Sequence, residues 1–374
     1  MSQSVVISGK GVWLPPHSIS NQELVTALNA WSEAYNLEHA AEIAAGTCEP
    51  KPMSDAAFIE KASGIKSRYA FEKKGILDIN RMRPDIEERP DDVLSQQAEM
   101  AVNAATIALK NANKTAADID AVIVSCAYTQ RAYPAIAIEV QAALGIAGFG
   151  FDMLVACSAA TFAVHRAYEM VAVGSARAVL VINPELTSPQ VNYTDRDSHF
   201  IFGDVATAIV IENGDLATSD HQYEILSTKA ETQFSNNIRS NFGYVTRASD
   251  ADPYSADKLF HQEGRKVFKD VCPMAIRHMQ DHLHKLDLTE TAVTRWWLHQ
   301  ANINMNQLIV RKLIGKEPGG EDAPIVLDEF ANTASAGSII AFTRHSDDLP
   351  SGSIGVICSF GAGYSIGSLI VKKR

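Results

Sequence analysis

Residues 151–185 predict a buried strand, a helix and a second buried strand in immediate succession. Residues 151–156 form a short apolar run, and residues 158–173 carry apolar side chains at the spacing of a helix that is covered on nearly all sides. Gly174 is a stop signal, and the apolar, β-branched run 178–182 predicts the next strand. Two buried strands joined by a covered helix require a sheet with helices packed on it.

Cys157 lies at the predicted junction between the first strand and the helix. The first N–H groups of a helix have no internal partner and carry partial positive charge, so they stabilise a thiolate and lower the pKa of a cysteine. The same groups can hold the oxyanion of a thioester that the sulfur attacks. Cys157 is therefore a candidate nucleophile, and the alternative is a buried structural cysteine.

The rest of the chain continues the alternation of strands and helices. Further strands are predicted at 5–8, 121–126, 201–211 (after a turn), 295–298, 325–327, 353–359 and 368–371, and further helices at 20–31, 54–65, 95–111, 136–144, 266–286 and 303–315. This order indicates a mainly parallel sheet, whose sites gather at the carboxyl ends of its strands. The match between 121–144 and 295–315 suggests two related halves, which we place at 1–215 and 216–374.

Composition limits the function classes. The net charge of −11 disfavours nucleic acid as a partner, and no apolar run is long enough to span a membrane. The N-terminus lacks the features of a signal peptide. The five cysteines are odd in number and widely spaced, which favours a reduced cytoplasm over a disulfide framework or a zinc site.

Two polar residues elsewhere complement the cysteine. His299 follows the predicted strand 295–298, and Asn332 lies in a run of small residues after 325–327. Each has an ordinary alternative, since such a histidine can be half-buried and a small-residue run can be a plain loop. A thiolate nucleophile with a neutral histidine and an amide that donate to a carbonyl oxygen is nevertheless the set that thioester chemistry needs.

Five motifs occur together in the order found in one enzyme family. They are DMLVACSAATFAVHRA, TDRDSHFIFGDVATAIV, LHQANINMNQLIVRKLI, ANTASAGS and SFGAGYSIGSLIV. Over nearly its whole length the chain resembles β-ketoacyl-acyl carrier protein synthase III. The resemblance implies an α/β thiolase fold of five layers (αβαβα) from two similar halves, and decarboxylative condensation of an acyl-coenzyme A primer with malonyl-acyl carrier protein at the start of fatty acid synthesis.

The resemblance also implies roles for individual residues. Cys157 would take the acyl primer, His299 and Asn332 would assist decarboxylation, and the N–H groups of Cys157 and Ala362 would form the oxyanion hole. Arg196 would contact the coenzyme A nucleotide, and Tyr133 would line the acyl tunnel of a partner subunit in a homodimer. No metal or resident cofactor is expected. Basic residues on two predicted helices are a candidate patch for the acidic carrier protein, the alternative being an ordinary charged helix face: Lys269, Arg311 and Lys312.

Several positions depart from the family pattern. The tryptophan that stacks on adenine falls on Phe58, and the arginine four residues later falls on Ala62. The asparagine motif begins with Ala331 where the family has glycine, and Ala362 stands where glycine is common. Residues 28–53 and 229–262 are longer than in compact members. These changes indicate a divergent member, with a primer other than acetyl.

Other functions fit parts of the sequence. A different thiolase-fold acyltransferase, condensing without decarboxylation or serving specialised metabolism, and a non-catalytic partner subunit both share the predicted fold. Ser365 lies in a GxSxG sequence, but the following residues predict a strand rather than the helix of a hydrolase. Cys126 is a second cysteine at a strand end, without a helix directly after it. A solvated helix face is predicted, rather than a metal site, for His278, His282 and His284.

Overall fold

The computed structural model describes residues 4–374. The strands are β1 (Val5–Trp13), β2 (His17–Ser20), β3 (Ser67–Ala70), β4 (Ala121–Cys126), β5 (Phe149–Leu154), β6 (Ala178–Glu185), β7 (Val205–Asn213), β8 (Tyr223–Ser235), β9 (Ile238–Arg239), β10 (His261–Gln262), β11 (Val293–Leu298), β12 (Ile354–Gly361) and β13 (Gly363–Lys373). The α-helices are α1 (Asn21–Glu38), α2 (Ala40–Ala44), α3 (Ala56–Ser63), α4 (Lys74–Leu77), α5 (Gln96–Asn111), α6 (Ile136–Leu144), α7 (Ala159–Ala172), α8 (Gly264–His284), α9 (Ile303–Ile314), α10 (Leu327–Phe330) and α11 (Ala336–Arg344).

One large sheet runs through the molecule in the order β11-β12-β13-β8-β1-β7-β6-β4-β5. From β1 outward to β4 the successive pairs are antiparallel, antiparallel and parallel. From β8 outward to β11 the same three pairings recur in the same order. The two halves of the sheet join through the antiparallel pair β1–β8, and the boundary predicted after residue 215 falls between β7 and β8. That domain boundary stays a prediction.

The helices form layers on this sheet. Helices α7 and α11 pack between the two halves, because their apolar residues share one core with inward-facing residues of both. Helices α5 and α6 cover the outer face of the half that contains β4, and α8 and α9 cover the outer face of the half that contains β12. Successive residues of β4, β6 and β7 alternate between the central core and an outer core, as strands buried on both faces require. The predicted five-layered α/β fold is confirmed.

Small residues allow β1 to approach α5 closely. A Cβ on Gly9 would lie 2.2 Å from the carbonyl oxygen of Ala108, and one on Gly11 would lie 2.4 Å from that of Ala104. The facing side of α5 is rich in buried alanine, so the helix backbone can rest directly on the strand.

Most predicted elements are present, and β4 and α6 have the predicted bounds. The predicted strand at 325–327 is wrong, because α10 begins there and the N–H groups of Val326 and Leu327 donate to the side-chain oxygen of Gln300 instead of a neighbouring strand. The loop predicted over 70–93 contains α4, and the sequence did not predict β8 or α11. No helix within residues 4–374 combines the length and the apolar character that crossing a bilayer demands.

Candidate active site

Cys157 lies between β5 and α7, at the predicted strand-to-helix junction. A short 3-10 turn, Ala156–Ser158, connects the two elements. Ala156 has φ of +44°, a left-handed conformation that non-glycine residues seldom adopt. Such backbone conformations concentrate at functional sites, where the surrounding structure holds them.

The last residue of β12, Gly361, contacts the Cys157 side chain. A Cβ on Gly361 would lie 2.5 Å from the Cys157 Cβ and 3.0 Å from its Sγ, so only glycine fits there. The N–H groups of Ala362 and of Cys157 itself point to the sulfur and favour its ionised form, lowering its pKa against the main effect of burial. These are the two N–H groups that the family resemblance implies for the oxyanion hole.

The predicted lowering of the Cys157 pKa is wrong. Burial raises the pKa of the thiol to about 12, and the charge of Glu185 acts in the same direction. The two N–H groups oppose this rise without overcoming it, because loss of hydration penalises the thiolate more than these hydrogen bonds favour it. The group at rest is therefore a thiol, and it must lose its proton when a thioester binds.

His299 follows β11 directly and is 2% exposed. Burial lowers the pKa of its imidazole to about 4, so the ring is neutral at pH 7, as the sequence-based hypothesis requires. The carbonyl of Ala334 acts in the opposite direction, although the buried Nδ1 of His299 makes no well-formed hydrogen bond within residues 4–374. The ring packs edge-on against Phe360, with centres 5.4 Å apart.

Asn332 lies in the loop between α10 and α11. Its N–H donates to the carbonyl of Ile201 at 2.9 Å, and its carbonyl accepts from the N–H of Gly203 at 3.1 Å. Its side-chain Oδ1 accepts from the N–H of Ala334 at 3.0 Å. Because that oxygen is already bonded, the NH2 of the amide is the end that can donate to a bound carbonyl oxygen.

Cys157, His299 and Asn332 line one cavity of about 310 Å³. The three residues come from distant parts of the chain and meet where β5, β11 and β12 end. Most of the wall is apolar, and its aliphatic and aromatic members include Phe58, Ile65, Phe200, Ile201, Ile238, Phe260, Val267, Phe268, Val271, Met305 and Phe360. An apolar cavity with a few polar groups suits a thioester with a hydrocarbon chain.

The positions that correspond to the family's nucleotide contacts lie together beside this cavity. Phe58 and Ala62 line it, and the guanidinium carbon of Arg196 lies 3.9 Å from the centre of the Phe58 ring. Arg196 also donates from Nε to the carbonyl of Met53 at 2.7 Å and pairs with Asp197 at 3.1 Å. The separation of Arg196 and Phe58 leaves no space for a planar base between them, so the nucleotide-binding role of Arg196 stays a prediction.

The remaining predicted residues lie outside the cavity wall. Tyr133 is 81% exposed in the segment between β4 and α6. Lys269 is exposed on α8, and Arg311 and Lys312 are exposed on α9, which packs against α8. Arg311 forms an ion pair with Glu317 at 3.0 Å, which reduces the free positive charge of the patch.

The alternative nucleophiles are poorly placed. Ser365 is buried within β13, where its hydroxyl donates to the carbonyl of Ala362 at 2.8 Å and lies 3.0 Å from the Ser158 hydroxyl. Cys126 is fully buried, and burial raises its pKa well above the usual range. Neither residue lines the cavity.

The predicted solvated face of α8 is wrong for two of its histidines. His278 and His282 are fully buried, and both bond the Ser368 hydroxyl, at 3.0 and 2.7 Å. The reason is that α8 packs this face on β8 and β13 instead of presenting it to water. His284 is exposed as predicted, and within residues 4–374 no group of three or more potential metal ligands is suitably arranged.

Sequence reasoning missed Glu185 and Ser335 behind the catalytic residues, and Gly361 against the thiol. Glu185 ends a strand whose every residue is buried, and its carboxylate accepts the hydroxyl and N–H of Ser335. An acidic residue at the end of a strand that begins with five apolar residues was the available signal.

Comparison with known proteins now identifies the family. Family models described as 3-oxoacyl-[acyl-carrier-protein (ACP)] synthase III and as its C-terminal part match residues 151–233 and 283–373. A β-ketodecanoyl-[acyl-carrier-protein] synthase from Pseudomonas aeruginosa is 56% identical over 348 residues, covering 93% of this chain and 99% of the relative. The chain belongs to the 3-oxoacyl-ACP synthase III family.

More distant synthase III relatives agree with this assignment. The β-ketoacyl-ACP synthase III of Dinoroseobacter shibae is 27% identical over 375 residues, with both chains fully covered. The crystal structure of the synthase III from Aquifex aeolicus superposes with a TM-score of 0.76 at 22% identity, covering 98% of this chain and 99% of that one, and confirms the thiolase fold. The protein is thus a condensing acyltransferase of the synthase III type.

Proposed function

We propose that this synthase III joins an acyl group carried on Cys157 to malonyl-acyl carrier protein by decarboxylative Claisen condensation, with an acyl-coenzyme A as primer. The observation that supports this most directly is the single cavity that Cys157, His299 and Asn332 share, with the Ala362 N–H at the sulfur. For each step of the reaction, the cavity then provides a side chain or an N–H group that can act on the bound thioester.

The first step transfers the acyl group. The Cys157 sulfur attacks the carbonyl carbon of the primer thioester, and the N–H groups of Cys157 and Ala362 hold the oxyanion. The carbon–sulfur bond to coenzyme A then breaks, and the proton from the Cys157 thiol leaves with the coenzyme A thiol. Because burial raises the pKa of Cys157, this proton transfer accompanies the attack instead of preceding it.

The second step forms the new carbon–carbon bond. The malonyl thioester loses carbon dioxide, and the electrons of the broken bond pass to an enolate. The neutral His299 and the NH2 of Asn332 donate to the enolate oxygen, which carries the developing negative charge. The enolate carbon attacks the acyl group on Cys157, and the sulfur leaves and takes up a proton.

The primer we propose is an eight-carbon acyl group. The 56% identical relative is named for a β-ketodecanoyl product, and a ten-carbon product forms when malonyl thioester adds two carbons to an eight-carbon primer. Aromatic and aliphatic side chains line most of the cavity, which is compatible with such a chain. We place the reaction in the cytoplasm, as the cysteine pattern indicates.

Intact-mass measurement after incubation with acyl-coenzyme A thioesters of graded length tests the first step. We expect one acyl adduct, strongest with the eight-carbon thioester, on the wild type and none on Cys157→Ala. Cys126→Ala is the matched control and should keep the adduct. An adduct that persists on Cys157→Ala would exclude this cysteine as the nucleophile. Carbon dioxide release from malonyl-acyl carrier protein then separates decarboxylative condensation from the other thiolase-fold reactions.

We propose a homodimer that forms along the edge of the sheet. β5 is the terminal strand, so one side of it has no partner strand among residues 4–374. Exposed apolar side chains surround this edge: Tyr133, Ile138, Phe149 and Leu154. We expect a second copy to pair along β5, and light scattering should report a dimer. Leu154→Asp with Ile138→Asp should yield monomer, whereas Val173→Asp, at an exposed site on the end of α7, should not.

Charge reversal tests the proposed carrier-protein patch. Lys269→Glu together with Lys312→Glu should raise the KM for malonyl-acyl carrier protein with little change in acylation of Cys157 by acyl-coenzyme A. An unchanged KM would leave these residues an ordinary charged helix face.

A further inference from the structure

A buried carboxyl group lies at the end of β6, behind the catalytic residues. Glu185 is 1% exposed, and its two oxygens bind different parts of the chain. Oε1 accepts the N–H of Ser335 at 3.0 Å and also the Ser335 hydroxyl. Oε2 accepts the N–H of Ala127, directly after β4, at 3.0 Å. One carboxyl group therefore ties the asparagine loop to the end of β4.

The Ser335 contact holds the turn that carries Asn332. Within this turn the Asn332 Oδ1 accepts from the Ala334 N–H at 3.0 Å, and Ala334 has φ of +46°. The Ala334 carbonyl in turn favours the protonated form of the His299 ring. Fixing Ser335 consequently fixes the turn that carries Asn332 and places the Ala334 carbonyl near the His299 ring.

Glu185 also acts through its charge. The titratable groups that it influences, or that influence it, are Cys126, Tyr128, Cys157 and Asp204. Burial raises the pKa of Glu185 to about 7, while hydrogen bonds from Ser335 and Ala127 oppose this rise and the charge of Asp204 adds to it. An ionised Glu185 raises the pKa of Cys157, so the protonation state of the carboxyl group affects the thiol.

We propose that Glu185 is a positioning residue for the condensing reaction, holding the Asn332–Ser335 turn through hydrogen bonds and acting on the Cys157 sulfur through its charge. The inference rests on the proposed roles of Cys157 and Asn332. The two actions have opposite effects on the two steps of the reaction. The hydrogen bonds promote decarboxylation, whereas the negative charge disfavours the thiolate.

Glu185→Gln and Glu185→Asp separate the two actions. The glutamine has no charge, and its NH2 group faces the Ala127 N–H, a second donor; the aspartate keeps the charge on a shorter side chain. We expect Glu185→Gln to increase the alkylation rate of Cys157 by iodoacetamide about tenfold above pH 7, corresponding to one pKa unit. It should lower kcat for malonyl decarboxylation by roughly tenfold or more, with a smaller change in KM. Glu185→Asp should lower kcat and leave the alkylation profile close to that of the wild type.

The pH dependence of Cys157 alkylation distinguishes the electrostatic action of Glu185 from a general loosening of the site. The logarithm of the wild-type alkylation rate should change slope near pH 7, where Glu185 ionises, and Glu185→Gln should lose that break. An unchanged alkylation profile or an unchanged kcat in a folded Glu185→Gln would overturn the proposal. If this variant does not fold, a wild-type profile without the break overturns it. Alkylation needs no acyl substrate, so failure of the condensing reaction would be recognised separately.

Discussion

Ala331 has a backbone conformation that ordinarily belongs to glycine, at the position where the family motif has glycine. Its φ is +57° and its ψ is −159°, a region that a Cβ makes unfavourable by about 1–3 kcal/mol. Ala331→Gly removes this strain and costs less than that in the entropy of the unfolded chain. We expect the variant to raise the free energy of unfolding by about 1 kcal/mol, measured by urea denaturation.

A second alanine provides the control. Ala341 is buried in the regular helix α11, where glycine is unfavourable by about 1 kcal/mol relative to alanine. Ala341→Gly should therefore lower the free energy of unfolding. If Ala331→Gly lowered it as well, the strain at Ala331 would be refuted.

At the scale of elements, one side chain holds the segment before the asparagine loop. The Gln300 Oε1 accepts from the N–H groups of Val326 and Leu327 at 3.0 and 3.3 Å, and its Nε2 donates to the Leu298 carbonyl at 2.9 Å. Gln300→Leu leaves these buried groups without partners. We expect it to lower the free energy of unfolding by about 2 kcal/mol and to reduce condensing activity, because His299 is its neighbour in the chain.

Thermal unfolding and a condensation assay measure both effects. Gln22→Leu is the matched control, because Gln22 is exposed on α1 and makes only a weak contact with Thr26 at 3.4 Å. It should be neutral within roughly 0.5 kcal/mol. Wild-type stability and activity in Gln300→Leu would show that the loop is held by other contacts.

The Gln300 contact illustrates why some elements could be predicted from local sequence patterns and others could not. β4 and α6 have strong local patterns, an unbroken apolar run and a helix that ends at Gly145 in the left-handed conformation, and both were predicted with the observed bounds. The run 325–327 has the composition of a strand, but a distant glutamine takes its N–H groups. β8 is half-exposed and defined chiefly by its pairing with β13, which no local pattern reveals.

The candidate site was also predicted only in part. The positions of Cys157, His299 and Asn332 followed from motifs, and the structure brings all three to one cavity. The pKa of Cys157 did not follow, because helix N–H groups can be predicted from a sequence, whereas the burial of the thiol against Gly361 depends on a distant strand. The burial of His278 and His282 was missed for the same reason, since it depends on which face of α8 meets the sheet.

At the scale of the whole molecule, several histidines in separate regions are buried and have a lowered pKa. Burial lowers the pKa of His199, His282 and His299 to about 4, 3 and 4 respectively. The unfolded chain binds protons at these residues below about pH 6.5, whereas the folded protein does not. Their stabilisation is therefore complete above that pH and is lost as the pH falls toward the folded-state pKa values.

The raised pKa of Glu185 acts in the opposite sense, because the folded protein keeps a proton that the unfolded chain releases above its own lower pKa. Burial also raises the pKa of Asp152 and Asp204, which act in the same sense as Glu185, and it lowers the pKa of His278 and His345, which add to the other three histidines. Five histidines therefore oppose three carboxyl groups, and the histidines prevail. We expect the free energy of unfolding to fall by several kcal/mol, roughly 1.4 per pH unit for each uncompensated histidine, between pH 6.5 and about 4. Urea denaturation across this range measures the slope.

His282→Asn isolates one contribution to this slope. His282 lies far from the cavity wall, and the asparagine amide can still bond the Ser368 hydroxyl but cannot take up a proton in this range. The variant should lose about one proton from the pH dependence of unfolding and be less sensitive to acid than the wild type, even if its stability at pH 7 is lower. A slope equal to that of the wild type would show that His282 is protonated in the folded protein, and the acid sensitivity would then come from the other buried histidines, among them His199 and His299.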